Sequence, residues 1–255
     1  MIIRKSPDEI EAMARAGRLV VETLGAIGEE IQPGVTTADL DELAEEFIRS
    51  HGGIPTFKGY RGFPRSICSS PNSMVVHGIP GSYRLEEGDI MSIDVGVTLD
   101  GFVGDSAYTF PVGEIDAEAQ RLLDACQAAL AAGIAEARPG NHVGDISAAV
   151  QVTTESAGFS VVRALVGHGV GRSMHEEPQV PNFGEPGRGP TLAPGMTLAI
   201  EPMITAGASD VVLADDRWAI STADGSLAAH FEHTVAVTEA GPRILTEAPV
   251  RSLLP

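Results

Sequence analysis

Cysteine is scarce in this 255-residue chain, with only Cys68 and Cys126 in unrelated surroundings. Two such residues build neither a disulfide framework nor a Cys-x-x-Cys metal pair, and a reducing cytosol suits them best. Positive charge is short as well: 17 Lys and Arg against 35 Asp and Glu give a formal charge of −18 and a pI near 4.6. A surface this negative repels phosphate, which argues against a nucleic-acid groove and leaves room only for a local basic patch. Long apolar runs are missing, since nothing approaches the ~20 residues of a membrane span. The N-terminal MIIRKSPDEIEAMARAG also lacks the apolar core and small-residue cleavage site of a secretory signal. A soluble, untargeted, cytoplasmic protein with no DNA or membrane partner is expected. What is present is globular in composition, and 255 residues lie near the upper limit for one core, so one large domain or two fused halves are both open.

Ser6, Pro7 and Glu9 form a capping-box start for a helix with Ile10, Met13, Ala14, Gly17 and Val20 at helical spacing. A second helix is expected over Thr37–Ser50, where Leu40, Leu43, Ala44, Phe47 and Ile48 make one apolar stripe and Gly52-Gly53 ends it. Residues 88–110, GDIMSIDVGVTLDGFVGDSAYTF, alternate apolar and polar around Asp100-Gly101 and predict a β-hairpin. Helices return near Ala117–Ala137 and Val143–Ala157, and a second strand region covers 195–206 and 217–238 with a further Asp-Gly turn at 224–225.

The chain also repeats itself. Pro33-Gly34, Asp39-Leu40 and Gly52 recur as Pro139-Gly140, Asp145-Ile146 and Gly158, each 106 residues later. Gly88 and Gly195, 107 apart, open GDIMSID and GMTLAIE, which puts Asp94 and Glu201 at matching positions. The repeat predicts an α+β domain of two related halves, about 6–115 and 116–250, with a site on the axis between them.

With Asp100-Gly101 as the turn, Gly96 faces Asp105 and Asp94 faces Ala107, so Asp94 and Asp105 are diagonal neighbours on one face, roughly 7 to 8 Å apart at Cα. Two exposed aspartates on the wet side of a hairpin would be the bland alternative. It weakens because Glu201 in TLAIEPMI and Glu232 in AAHFEHTVAV interrupt apolar strands and need a partner if buried. His168 and His175 lie in the glycine-rich VGHGVGRSMHEEPQV, and His77 in SMVVHGIP. A phosphate cradle at GHGVG is disfavoured, because the dinucleotide spacing and an evident following helix are missing. Four carboxylates with an imidazole form an oxygen-rich, borderline-hard ligand set suited to Mn²⁺, Fe²⁺, Co²⁺ or Zn²⁺. Two ions about 3.5 Å apart would explain why four carboxylates converge.

SICSSPNSMVVHGIP, GDIMSIDVGVTLDGFVGD, GHGVGRSMHEEPQV, PGMTLAIEPM and HFEHTVAV, in this order, strongly resemble type I methionine aminopeptidases over about Lys5 to Thr246. The resemblance implies the pita-bread fold, α+β with pseudo-two-fold halves and an antiparallel sheet covered by helices, in one catalytic domain spanning 1–255. It implies removal of the initiator methionine from nascent proteins when the second residue is small, so a chain that begins Met1-Ile2 is expected to keep its own methionine. Residue by residue, Asp94, Asp105, His168, Glu201 and Glu232 correspond to the ligands of two divalent ions, of which Asp105 and Glu232 bridge. His77 and His175 match non-ligand histidines that contact substrate. Phe57, Tyr60, Phe63, Cys68, His77, Met174 and Trp218 stand at the methionine-pocket positions. Met174 departs from the usual Phe, and Phe57 from the Cys or Thr of several relatives.

The same resemblance implies a monomer that meets nascent chains through a transient ribosome contact. A water bridging the ions would attack the scissile carbonyl, with Glu201 as base or proton shuttle and His175 and His77 as further catalytic groups. The short run from His175 to Glu201 points to type I rather than type II. An Xaa-Pro dipeptidase of the same fold usually carries an extra N-terminal domain for which this chain has no room. A binding module that has lost its metals would have dropped ligands, whereas all five positions are filled here.

Overall fold

A computed structural model describes residues 1–247. Among the described residues, four α-helices and a set of antiparallel strands make up an α+β fold, as the sequence pattern predicts. The expected second half, 116–250, ends at residues outside the described ones. Helix α1, Pro7–Glu30, starts at the Ser6 capping box and runs ten residues past Val20, the last position its sequence stripe marked. Helix α2 is Thr37–Ser50, α3 is Ala117–Glu136 and α4 is Val143–Ser156.

The 106-residue repeat is visible in these elements. Helices α2 and α4 both have 14 residues, and adding 106 to the bounds of α2 gives those of α4. Thr36 and His142, again 106 apart, occupy the N-caps, and each backbone N–H donates to a carboxylate three residues on, Asp39 or Asp145. Gly34 and Gly140 have φ of 96° and 90°, and Gly52 and Gly158 have 80° and 88°. Such left-handed turns favour glycine because it has no Cβ to clash. Each helix pair covers its own apolar cluster: Leu19, Leu24, Leu40 and Ile48 pack on Ile93, Val95 and Val97, while Leu122, Cys126, Ile146 and Val150 pack on Leu198, Ile200 and Val235.

The hairpin strands are Ile90–Leu99 and Phe102–Pro111, joined by Asp100 and Gly101 with φ of 51° and 78°, a turn whose twist matches that of the strands. Ile54–Pro55 and Cys68–Pro71 flank Ile90–Leu99 in the same four-stranded sheet. The five-stranded sheet runs in the order Gly241–Ile244, His233–Thr238, Thr197–Ile200, Val166–Gly169, Glu176–Pro181. Two three-stranded sheets complete the fold, one of Ala228–His230, Met203–Thr205 and Ser160–Val161, the other of Val211–Leu213, Ile220–Thr222 and Met74–Val76.

The strand regions expected over 195–206 and 217–238 are broken into shorter pieces. Glu201-Pro202 separates Thr197–Ile200 from Met203–Thr205, and Phe231-Glu232 separates Ala228–His230 from His233–Thr238. At the first break Pro202 has no N–H to give a ladder; at the second, Glu232 N–H leaves the strand to donate to Ala107 O. The turn expected at Asp224-Gly225 is present, with Gly225 at φ 75° and Ser226 N–H donating to Asp224 Oδ1 at 3.0 Å.

Candidate active site

The hairpin register is the predicted one, with Gly96 opposite Asp105 and Asp94 opposite Ala107. Asp94 and Asp105 therefore share a face, and Cys68 pairs with Asp94 from the other side. The missing side chain at Gly96 matters here, because a Cβ there would meet Phe57 Cε1 at 2.6 Å.

The second half supplies the other acids across a seam of hydroxyls. Asp105 N–H donates to Thr234 Oγ1 at 3.1 Å, and that hydroxyl donates to Asp105 O at 2.8 Å. Glu232 N–H donates to Ala107 O at 2.9 Å, and Ser106 Oγ donates to Glu232 O at 2.5 Å. Two carboxylates from opposite halves are thus fixed through their backbones. One oxygen of each, Asp105 Oδ1 and Glu232 Oε1, and likewise Asp94 Oδ1, is buried with no hydrogen-bond partner among the described residues. Burial pushes all four carboxyls well above their ordinary range, reinforced by Asp105 at Asp94, by Glu201 at Asp105, and by Asp105, Glu201 and Asp94 at Glu232.

His168, on strand Val166–Gly169, is hydrogen-bonded through Nδ1 to Gly169 O at 2.9 Å. That bond assigns the proton to Nδ1 and leaves the Nε2 lone pair facing the acids, 3.6 Å from Asp105 Oδ2 and 3.5 Å from Glu201 Oε1. Two ligands of one ion at about 2.1 Å each stand roughly 3 to 3.5 Å apart, so a lone pair at these separations from two carboxylates suits a shared cation. Donor atoms of Asp105, His168 and Glu232 all lie within 4.8 Å of one another. Orphaned buried carboxylates around an imidazole lone pair are a donor set that fits divalent metal.

The acids open directly onto a cavity of about 300 Å³. Every sequence-predicted site residue lines it: Phe57, Tyr60, Phe63, Cys68, His77, Met174, His175 and Trp218, together with Asp94, Asp105, His168, Glu201 and Glu232. Phe63 meets Trp218 edge-on at 5.1 Å between ring centroids. Tyr60 OH is 2.9 Å from His175 Nδ1, which holds that exposed ring at the cavity wall. His77 sits at φ 61°, a left-handed conformation that costs a non-glycine residue about 1–3 kcal/mol. Burial, then the neighbouring His230 and His175, push the His77 imidazole down to about 4, so it is neutral near pH 7.

His230 was not foreseen from the sequence. It lines the same cavity and is 2% exposed. Its two-residue offset from Glu232 was the available signal, but HFEH reads equally well as part of an apolar strand. Arg61, beside the Tyr60 ring at 5.3 Å, was also missed.

Comparison with known proteins agrees with this geometry. The sequence pattern of metallopeptidase family M24 matches residues 11–239. A methionine aminopeptidase of Clostridium perfringens is 53% identical over 246 residues, covering 96% of this chain and 99% of the relative. One from Bacillus subtilis is 51% identical with the same coverage. The crystal structure of methionine aminopeptidase from Rickettsia prowazekii superposes with a TM-score of 0.96 at 44% identity, covering 97% of this chain and all of that one. A prolidase from Pyrococcus horikoshii, 21% identical with a TM-score of 0.78, shares the pita-bread fold, and this chain covers 65% of it.

Proposed function

The chain belongs to metallopeptidase family M24, and we propose that it is a metal-dependent methionine aminopeptidase that removes the N-terminal methionine from polypeptides whose second residue is small. One observation carries this reading: a group of buried carboxylates with unpartnered oxygens opens onto a small apolar cavity.

Asp94, Asp105, His168, Glu201 and Glu232 would hold two divalent ions, with Asp105 and Glu232 shared between them. Such ions supply Lewis acidity toward a carbonyl and lower the pKa of water. The nitrogen and oxygen donors suit Mn²⁺, Fe²⁺, Co²⁺ or Zn²⁺. Phe57, Tyr60, Phe63, Cys68, Met174 and Trp218 enclose the methionine side chain, whose unbranched thioether fits an aromatic-lined slot. Glu201, which lines the cavity beside the other acids, takes a proton from the attacking water and passes it on. His175, oriented by Tyr60, donates to the substrate carbonyl oxygen as charge develops there. His77, neutral at working pH, hydrogen-bonds the scissile amide and relays the proton that the leaving amine needs. A branched residue after methionine would crowd these groups, and a displacement of about 1 Å can cost on the order of 10² in rate. Cytoplasmic action by a monomer, on chains still in contact with the ribosome, completes the reading, and two free, buried cysteines suit a reducing compartment.

Release of methionine from Met-Ala-Ser, compared with cleavage of Ala-Pro, with and without chelator, tests the proposal. Chelator-sensitive turnover of Met-Ala-Ser alone is expected. Preferred cleavage of Ala-Pro would make it a prolidase, and no turnover of either peptide after metal loading would leave a binding module.

A further inference from the structure

Glu201 stands between two imidazoles. Its Oε1 is 3.5 Å from His168 Nε2, and its Oε2 is 3.6 Å from His230 Nε2. The two rings differ in what anchors them. His168 has committed Nδ1–H to Gly169 O. His230 is held through its backbone, where N–H donates to Thr109 Oγ1 at 3.0 Å and C=O accepts from the same hydroxyl at 2.8 Å. Its Nε2 is buried, aimed at Glu201 and, at 4.0 Å, at Glu232, and has no hydrogen-bond partner among the described residues. A buried donor or acceptor left in that state is costly, and a shift of a few tenths of an ångström would bring it within hydrogen-bond range of Glu201.

We propose that His230 is a positioning residue, whose Nε2–H holds Glu201 Oε2 and so presents Oε1 alone to the ion shared with His168. The proposal rests on the metal-dependent reading above. It gives Oε1 of Glu201 to the ion and leaves Oε2, steadied by His230, to handle the proton, and it makes His230 a determinant of metal affinity without being a ligand.

The test uses His230→Gln, which keeps an N–H donor, and His230→Leu and His230→Ala, which do not. Calorimetric titration with Co²⁺ should show affinity lowered about 10- to 100-fold in the Leu and Ala variants, the scale for removing a group that orients a ligand, and largely restored in the Gln variant. Pulsed EPR of Mn²⁺-loaded protein with ¹⁵N-labelled histidine should show one coupled imidazole in both wild type and His230→Leu, and none in His168→Ala. Unchanged Co²⁺ affinity in His230→Leu, or equal loss in His230→Gln, would overturn the positioning role. A second coupled imidazole present in wild type and missing from His230→Leu would make His230 a ligand and overturn it too. Wild-type protein that binds no Co²⁺ would instead sink the metal-dependent reading itself.

Discussion

Lys5 and Glu176, 171 residues apart, form a buried ion pair with Nζ 2.5 Å from Oε2 and side chains only 4% and 6% exposed. The other carboxylate oxygen, Oε1, accepts from the backbone N–H of Arg172 at 3.0 Å and of Ser173 at 3.3 Å. Glu176 thereby ties the loop that carries Met174 and His175 to the N-terminal segment, which is itself pinned by Lys5 N–H donating to Gly195 O at 2.7 Å.

Glu176→Gln leaves an unpaired ammonium in that pocket, and breaking one side of a buried pair costs about 3–5 kcal/mol. The variant should melt earlier and turn over more slowly while binding metal as before. The double variant Lys5→Met, Glu176→Gln removes the stranded charge and should recover much of the stability. Thermal unfolding of the three proteins checks this, and a double variant less stable than the single would contradict it.

Asp105→Ala or Glu232→Ala should abolish peptidase activity. In the two-ion reading each removes a carboxylate that both ions would share and leaves the remaining acids without mutual compensation. Wild-type turnover at limiting metal in either variant would exclude a two-ion centre.

His175→Ala should keep the metal stoichiometry and lower kcat by roughly 10² or more, the scale of a lost proton-transfer or electrostatic group. Metal analysis beside steady-state kinetics decides the point. Loss of metal would instead place His175 among the ligands.

Met174, 5% exposed and packed with Phe57, Phe63 and Cys68, shapes the end of the cavity. Met174→Phe should change the relative KM of methionine and norleucine peptides while metal affinity stays constant, because a rigid ring replaces a flexible thioether. Identical selectivity in both proteins would remove Met174 from the pocket wall.

Chelation should make stability pH-dependent in a defined direction. Unfolded, the four acids ionise near 3.8 for Asp and 4.5 for Glu; folded without a cation, burial raises them well above those values. Groups raised on folding contribute stability that is full below the unfolded value and is lost as pH rises through the folded one. Chelator should therefore lower the melting temperature more at pH 8 than at pH 5, the opposing contribution of buried histidines such as His77 and His233 being common to the chelated and loaded forms, and metal reloading should restore the loss most at pH 8. Calorimetry at both pH values measures it, and equal destabilisation by chelator at both would refute the account.

Local chemistry decided much of this protein from the sequence outward. The Ser6 box started α1, Thr36 and His142 set the two 14-residue helices 106 residues apart, and Asp100-Gly101 fixed the register that puts Asp94 and Asp105 on one face. Each of these signals acts within a few residues, so sterics and short-range hydrogen bonds suffice. The ordered motifs around His77, His168, His175, Glu201 and Glu232 were legible for a different reason, since their residue types already carried the chemistry. What the sequence could not disclose depends on distant partners. Whether Glu201 and Glu232 would sit in strands or at their breaks, which hydroxyls would lace Asp105 to Thr234, which face His230 would turn inward, and which carboxylate Lys5 would meet were all decided by packing one half against the other. Those contacts join groups more than 100 residues apart in several cases, as with the 129 residues between Asp105 and Thr234. No local preference ranks such pairings; only the burial of both helix-covered clusters at once selects them.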